Sequence, residues 1–383
     1  MEKRQAYRPE LDGIRAVAIL TVMYYHLFAY RTDTWYGEIL HWFTRAGWAG
    51  VDIFFVLSGY LITSILLATR DSPNYFRSFY MRRALRIFPL YYGVMSALVA
   101  APMVLSWAGL NFQHPSIANI ENSWWNFLYL SNFAMAIHGK DYVPLDIAWS
   151  LAVEEQFYLV FPFLVYLFRQ STLWKLLVLM IVSAIALRLI SAQAFPTGWR
   201  APYVLPFCRM DALAFGGLIA MASALNKTGF LRAMAACAVP AWILVIGFFS
   251  VWTRKDTQFI AIGYSLVPLA TACTLARLEI GDWNKLRNLL SWGPLVSIGK
   301  VSYGLYLLHL IARAGVDATV SASWFTGYQT DLGMACLRFL TISAVALLMA
   351  GCSWRFFERP ILGLKNRYSA RPPTQESPIT VRP

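Results

Sequence analysis

The sequence predicts an all-α, polytopic membrane protein with about ten transmembrane helices. Hydrophobic residues make up 58% of the 383 residues and charged residues only 14%, far from the composition of soluble globular domains. The hydrophobic residues form runs of about 20, the length that an α-helix needs to cross the hydrocarbon core of a bilayer. Most lysines and arginines lie in the short connections between these runs, which is typical of multi-pass membrane proteins.

The predicted membrane-spanning segments occupy most of the chain. They lie near residues 11–31, 48–69, 85–107, 150–169, 173–195, 203–225, 232–252, 258–277, 295–316 and 333–357. The apolar stretch 123–137 is too short to span and is expected to be an interfacial or re-entrant piece. Asp12 and Arg15 interrupt the first run, so we expect a retained first helix and not a removed signal peptide. We predict one membrane domain over 1–367 and a disordered, Pro- and Ser-rich cytoplasmic tail over 368–383.

The positions of the basic residues predict the orientation of the chain. They cluster before the first segment and then in alternate connections, so the positive-inside rule puts both termini in the cytoplasm. The formal net charge of +13 therefore indicates topology and contact with anionic membrane lipid or anionic substrates, and nucleic acid is not expected as a partner. The five cysteines occur singly, so the sequence indicates neither a disulfide framework nor a metal site.

The first segment contains Arg15 near one end and His26 near the other. Their separation of eleven residues corresponds to roughly 16 Å along a helix axis and to about three turns, so both side chains point to nearly the same face. Ionisable residues inside a membrane segment indicate a functional site. The alternative is an arginine that snorkels to the interface and a histidine bonded to a neighbouring helix. We interpret the aligned pair as functional.

A carboxylate occurs at the start of the second segment. Asp52 is expected at a depth close to that of His26, where it could orient the imidazole and raise its basicity. The alternative is that Asp52 simply caps the start of a helix, which is a common role for this residue type.

Two arginines lie at the predicted cytoplasmic end of the third segment. Arg83 and Arg86 are three residues apart and are therefore neighbours on one helix face. Because guanidinium groups match phosphate oxygens, this pair could hold a phosphorylated cofactor. A positive anchor that contacts lipid headgroups explains the pair equally well.

The fourth segment contains two adjacent carboxylates, Glu154 and Glu155. Neighbouring residues on a helix point about 100° apart, so one can face inward while the other caps the helix or meets water. The helix dipole favours negative charge near an N-terminus, which offers a purely structural explanation. The residues that follow are strongly apolar, and we therefore expect a functional role for at least one of the two.

Two further groups of polar side chains lie inside predicted spans. Arg209 and Asp211 are poorly spaced for pairing with each other on a helix, so each is expected to contact another helix. Tyr303, Tyr306 and His309 follow each other at three-residue steps along one polar stripe. Hydrogen bonding within the helix bundle explains this stripe slightly better than direct catalysis does.

These motifs, in this order, resemble those of the membrane acyltransferase 3 family, the integral-membrane acyltransferases that modify bacterial glycans and some small natural products. The resemblance extends from Leu11 to about Pro360. The matching residues are Arg15 with ten residues before His26, and the stretches 55–61 (FVLSGYL), 83–86 (RALR), 149–158 (WSLAVEEQFY) and 302–309 (SYGLYLLH).

The resemblance implies His26 as the essential catalytic residue and Arg15, Arg83 and Arg86 as residues that bind the acyl donor. It also implies acyl-coenzyme A, in particular acetyl-coenzyme A, as the donor and the bacterial cytoplasmic (inner) membrane as the location. We hypothesise that the donor phosphates dock on the arginines and that the thioester arm extends toward His26. The neutral imidazole then takes a proton from an acceptor hydroxyl, which attacks the thioester.

The remaining candidate residues complete this hypothesis. Glu154 or Asp52 would stabilise the imidazolium, and Glu155, Tyr303 and His309 would contact the substrates. Direct transfer and a transient acyl-histidine are both compatible with the sequence. No metal is expected to take part.

The expected acceptor is a hydroxyl of a cell-surface polysaccharide or a lipid-linked glycan. Acylation of a small natural product such as a macrolide is an alternative. A membrane transporter is another, since charged residues inside helices also mark substrate pathways. A non-catalytic membrane scaffold is a third. The sequence does not specify the acceptor or the acyl chain length, and it leaves a homo-oligomer open.

Overall fold

The structure is helical throughout the part of the chain that it describes. A computed structural model describes residues 7–107, 119–319 and 327–368, and these contain helices and connections without a β-strand. The predicted all-α class is therefore confirmed. The predicted tail 368–383 lies, apart from its first residue, outside the described residues.

Eighteen α-helices are numbered here in chain order. They are α1 (Pro9–Leu27), α2 (Trp35–Ala46), α3 (Gly50–Thr69), α4 (Tyr75–Trp107), α5 (Trp124–Phe127), α6 (Ser131–His138), α7 (Trp149–Leu167), α8 (Gln170–Ala194), α9 (Ala201–Val204), α10 (Pro206–Ala224), α11 (Thr228–Ala236), α12 (Ala238–Val251), α13 (Tyr264–Ile280), α14 (Asn284–Leu290), α15 (Gly293–Lys300), α16 (Ser302–Thr319), α17 (Leu332–Ser353) and α18 (Arg359–Gly363). Short π-helical segments precede α13 (Phe259–Gly263) and follow α17 (Trp354–Glu358).

Length and apolar composition identify seven to nine candidate membrane spans among the described residues. Seven helices of the described residues are long and apolar enough to cross a bilayer, and the number rises to nine if two bent helix pairs each count as one span. The bends are 41° between α11 and α12 and 74° between α15 and α16. This agrees with the predicted polytopic membrane protein, and of the ten predicted segments only the first is missing from these candidates.

The first predicted segment differs from the other nine in its charge. It forms a helix, α1, but Glu10, Asp12 and Arg15 give it more charge than an apolar span carries. Neighbouring helices accommodate these charges, since α1 packs against α15, α3 and α16. The stretch 123–137, predicted to be too short to span, forms the short helices α5 and α6, and neither is a candidate span.

Helices α3 and α10 pack with their backbones in direct contact. A Cβ atom at Gly59 would overlap the carbonyl oxygen of Leu213, and a Cβ atom at Gly216 would overlap that of Val56. Small residues allow such close approach of helices in membranes, where packing replaces the hydrophobic effect as the driving force. This contact fixes α3 beside α1 and α10 and thereby positions the walls of the site described below.

The long axis of the bundle has two ends that differ in their ionisable residues. Helix α1 runs from Arg15 to His26, and α3 returns antiparallel to it, with Gly47 against Tyr25 and Tyr60 bonded to Arg8. We call the end that contains Arg15 the arginine end and the end that contains His26 the histidine end.

Candidate active site

Two histidines from distant parts of the chain meet at the histidine end. The Nδ1 atom of His26, in the last turn of α1, lies 2.9 Å from the Nε2 atom of His309 in α16. The two rings stack with their centroids 5.1 Å apart. One turn further along α16, Arg313 donates a hydrogen bond of 2.9 Å to the carbonyl oxygen of His26. Helix α16 therefore holds both the ring and the backbone of His26.

The contacts of His309 determine which nitrogen of His26 is free to act as a base. The Nδ1 atom of His309 lies 2.7 Å from the carbonyl oxygen of Tyr306 and 3.2 Å from that of Leu305. Because a carbonyl only accepts hydrogen bonds, this Nδ1 atom carries a proton, and the Nε2 atom of a neutral His309 is an acceptor. His26 then donates through Nδ1 and keeps its Nε2 atom unprotonated. A general base needs such a nitrogen.

The imidazole of His26 lines an open space at the histidine end. Two adjoining cavities of about 690 Å³ and about 460 Å³ meet there, and we call them together the histidine-end cavity. Aromatic and basic side chains form the walls that the two cavities share. The shared residues are Tyr25, His26, Lys140, Trp199, Arg254 and Arg313. This space is large enough for a sugar-sized acceptor.

A narrower cavity begins at the arginine end and leads toward the two histidines. Arg15, Arg83 and Arg86 line it, and it reaches Ser150 and Tyr306 with a volume of about 90 Å³. We call it the inner passage. The hydroxyl of Tyr306 lies 2.6 Å from the Oγ atom of Ser150. Since the carbonyl oxygen of Tyr306 also holds His309, the passage ends one helical turn from the histidine pair.

The arginine end contains two guanidinium groups that form no ion pair with a described carboxylate. Among the described residues, neither Arg83 nor Arg86 forms an ion pair, and the guanidinium of Arg83 lies over the rings of Phe79 and Tyr158. Arg15 is paired with a carboxylate, its Nη1 atom being 2.8 Å from Oδ1 of Asp12. Unpaired guanidinium groups beside a passage suit a phosphate-bearing ligand.

A lysine that follows the last helix adds to this charge. Lys365 lines a small cavity of about 110 Å³ together with Arg82, Arg83 and Arg86. Burial, and to a smaller extent the neighbouring arginines, together lower the pKa of the Lys365 ammonium to about 7. A bound anion would reverse this effect because it would favour the charged form.

Of the two glutamates of α7, Glu154 lines the inner passage and Glu155 does not. The carboxylate of Glu154 accepts hydrogen bonds from Ser58 Oγ at 2.6 Å and from Tyr158 OH at 3.0 Å. The Oε1 atom of Glu155 is buried and has no hydrogen-bond partner among the described residues. We expected Glu154 to contact the imidazole of His26. In the described part of the chain the Nδ1 atom of His26 is bonded to His309 instead.

Asp52 also differs from its expected place. It is fully buried and forms an ion pair with Arg209, not a contact with His26. A carboxylate in the interior of a bundle is stabilised by the nearest buried cation, because an unpaired buried charge is very costly. Asp211 pairs in the same way with Arg188 and accepts a hydrogen bond of 2.6 Å from a serine of α13. The expectation that Arg209 and Asp211 each contact another helix is thus confirmed.

The residues of the polar stripe of α16 all make hydrogen bonds within the bundle, and Tyr303 and Tyr306 also line the inner passage. Tyr303 donates a hydrogen bond of 2.7 Å to the carbonyl oxygen of Ile87, which is the structural role that the sequence favoured. The hydroxyl of Tyr306 contacts Ser150, and His309 forms the histidine pair with His26.

One residue of the site had no assigned role in the sequence analysis. Arg254 follows α12, and its Nη2 atom donates a hydrogen bond of 3.0 Å to the hydroxyl of Tyr25. Its guanidinium lies over the rings of Trp48, Trp199 and Tyr203. Arg254 is a single cation in a short connection, so no repeating pattern in the sequence marks it as part of a site. The rings that surround it come from distant parts of the chain and meet only in the folded protein.

The chain is similar in sequence to known acyltransferases. A family model described as an acyltransferase domain matches residues 8–354. An O-acetyltransferase, OatA, of Staphylococcus aureus is 29% identical over 375 residues, covering 93% of this chain and 57% of the relative. A peptidoglycan O-acetyltransferase, OatA, of Listeria monocytogenes is 30% identical over 384 residues, covering 93% of this chain and 56% of the relative. The chain thus spans a little over half the length of these relatives. No solved structure gives a significant match.

Proposed function

Because the chain belongs to the acyltransferase 3 family, we propose that it is a membrane O-acyltransferase that uses His26 as its base. It moves an acyl group, in the simplest case acetyl, from acyl-coenzyme A to a hydroxyl of a cell-surface polysaccharide or lipid-linked glycan. The relatives named as O-acetyltransferases support the acetyl group, and the peptidoglycan named for one of them supports a glycan acceptor.

One observation carries the proposal. The inner passage joins the unpaired Arg83 and Arg86 to Tyr306, and one turn beyond Tyr306 the histidine pair opens on a separate, larger cavity. An enzyme that transfers a group between substrates on two sides of a membrane needs two entrances that converge on one base. A scaffold protein has no need for such an arrangement.

The donor enters at the arginine end, which faces the cytoplasm of a bacterial inner membrane. The phosphates of coenzyme A bind Arg83 and Arg86 through charge-assisted hydrogen bonds. Arg15, although paired with Asp12, faces the same passage and adds positive charge there. The flexible thioester arm then extends along the inner passage past Glu154 toward Tyr306.

The acceptor enters at the histidine end, with one hydroxyl directed at the Nε2 atom of His26. This nitrogen takes the hydroxyl proton while the oxygen attacks the thioester carbonyl carbon. The carbon–sulfur bond breaks, the thiolate of coenzyme A leaves, and the imidazolium returns its proton to the sulfur. His309 is a positioning residue, because it holds the Nδ1–H group of His26 and so presents the Nε2 atom.

The test is transfer of radiolabelled acetyl from acetyl-coenzyme A to peptidoglycan fragments by the purified protein. We expect transfer by the wild type and by His138→Ala, a control imidazole that is exposed at the end of α6, and none by folded His26→Ala. Full transfer by His26→Ala would refute the assignment. Uptake of solute into proteoliposomes without acetyl transfer would instead support a transporter.

A further inference from the structure

The wall of the larger histidine-end cavity is strongly basic. The described residues that line the 690 Å³ cavity include six cationic side chains and no carboxylate. The six are Arg31, Arg45, Lys140, Arg254, Lys255 and Arg313. A concave surface lined by charges of one sign concentrates ligands of the opposite sign.

Few carboxylates near the cavity offset this charge. Asp317 lies 3.4 Å from Arg313, and Asp141 lies 3.9 Å from Lys140. Asp141 and Asp146 line only the adjoining 460 Å³ cavity. The remaining four cations, which are Arg31, Arg45, Arg254 and Lys255, form no ion pair with any described residue.

Arg254 is the cation that is built most firmly into the wall. It is half-buried, and the rings of Tyr25, Trp48, Trp199 and Tyr203 lie between 5.3 and 5.7 Å from its guanidinium carbon. Its one hydrogen bond within the described residues goes to Tyr25. A guanidinium has five N–H donors, so most of its donors are available to a ligand. Held in this way, it loses little side-chain freedom when it binds an anion.

We propose that the histidine-end cavity binds an anionic sugar, with a carboxylate or phosphate group of that sugar bound by Arg254. This inference rests on the proposed function, because it treats the cavity as the acceptor site. The indole and phenol rings provide flat apolar surfaces for the sugar, and the surrounding cations select those sugars that carry negative charge. The binding group and the base share one cavity, so the anion orients a hydroxyl toward His26.

Equilibrium binding to the purified protein tests the inference without requiring turnover. The probes are N-acetylmuramic acid, its uncharged methyl ester, and N-acetylglucosamine with and without a 1-phosphate. We expect the charged member of at least one pair to bind on the order of tenfold to a hundredfold more tightly than its neutral counterpart, as for a hydrogen-bonded ion. The pair that shows the difference identifies the group as carboxylate or phosphate. This preference should decrease at high salt, because the cavity is open to solvent.

Variants assign the preference to Arg254. Arg254→Gln should weaken binding of the charged sugar to the level of the neutral one, leaving the neutral sugar and coenzyme A unaffected. Lys285→Gln, an exposed cation of α14 outside the cavity, is the matched control and should change nothing. If Arg254→Gln does not fold, Arg45→Gln and Lys255→Gln, both exposed side chains, should each weaken binding of the charged sugar about twofold to fivefold.

The results that would refute the anionic-sugar site differ from the result that would refute the proposed function. Equal affinity for charged and neutral sugars, or an equal loss for both in Arg254→Gln, would overturn the anionic site. Weaker coenzyme A binding by Arg254→Gln would also overturn it, by assigning the cations to the donor. If anionic-lipid vesicles abolish a preference seen in neutral-lipid vesicles, the cations serve lipid headgroups and the sugar site is refuted. Charge-selective binding without acetyl transfer would refute the proposed function and retain the site.

Discussion

The Nδ1 atom of His26 lies 2.9 Å from the Nε2 atom of His309, and the backbone carbonyl of Tyr306 fixes the proton of His309 on its other nitrogen. The sequence instead predicts a carboxylate, Asp52 or Glu154, beside His26. A neutral imidazole orients its partner as a carboxylate does, but it adds no negative charge to stabilise an imidazolium. In the proposed mechanism His309 therefore selects the tautomer of His26, and it raises the basicity of His26 less than a carboxylate would.

Removal of His309 tests this positioning role. We expect His309→Ala to lower the rate of acetyl transfer on the order of 10²-fold, because His26 is no longer held in the reactive tautomer. The amide oxygen of His309→Gln can still accept from His26 Nδ1, so this variant should recover part of the rate. Affinity for coenzyme A should not change in either variant. An unchanged rate in His309→Ala, or a loss that His309→Gln does not reduce, would contradict the role.

The arginines of α4 should determine the affinity for the donor. We expect Arg83→Gln and Arg86→Gln each to raise the Kd of coenzyme A on the order of tenfold to a hundredfold, the value of a charge-assisted hydrogen bond. Arg77→Gln removes an exposed cation from the same helix and should have little effect. Isothermal titration of the purified variants gives the comparison. The donor assignment fails if Arg77→Gln weakens binding as much as the other two.

Lys365 should make donor binding depend on pH. The burial and the positive neighbours that lower its pKa to about 7 leave the ammonium protonated below that pH and neutral above it. A bound phosphate favours the charged form, so affinity for coenzyme A should fall as the pH rises from about 6 to about 8. Lys365→Arg keeps its charge and should flatten this dependence. Titration of coenzyme A itself affects the wild type and Lys365→Arg equally. Identical pH profiles of binding for the two proteins would therefore contradict the prediction.

The contact between α3 and α10 should tolerate no added side-chain atom. We expect Gly59→Ala and Gly216→Ala each to destabilise the protein by about 1–3 kcal/mol, since the new methyl group would force the two backbones apart. Gly247→Ala is the matched control, because a Cβ atom there meets nothing within 4 Å. Apparent melting temperatures in detergent compare the three variants. Equal values for Gly216→Ala and Gly247→Ala would show that the contact is looser than described.

The sequence predicted those parts of the fold and site that depend on local spacing. Apolar runs predicted the helices, and the three-residue spacing of Arg83 and Arg86 predicted that they share one helix face, which lines the inner passage together with Arg15. The first predicted segment, with three early charges, is not among the candidate spans of the described residues. Helix α1 instead has other helices packed around it.

Pairings between helices were not predictable in this way. Depth along a helix suggested that Asp52 and His26 would meet, but depth does not determine the direction in which a side chain points. Arg209 is the cation that Asp52 contacts, and His309 is separated from His26 by 283 residues. No periodicity in one sequence links residues at such a separation.

The central claim is that a donor on one side of the membrane acylates an acceptor on the other side through His26. The most direct measurement uses proteoliposomes with the chain in one orientation, labelled acetyl-coenzyme A inside and peptidoglycan fragments outside. We expect labelled fragments outside with the wild type and none with His26→Ala. Labelled fragments only when donor and acceptor share a compartment would contradict the claim.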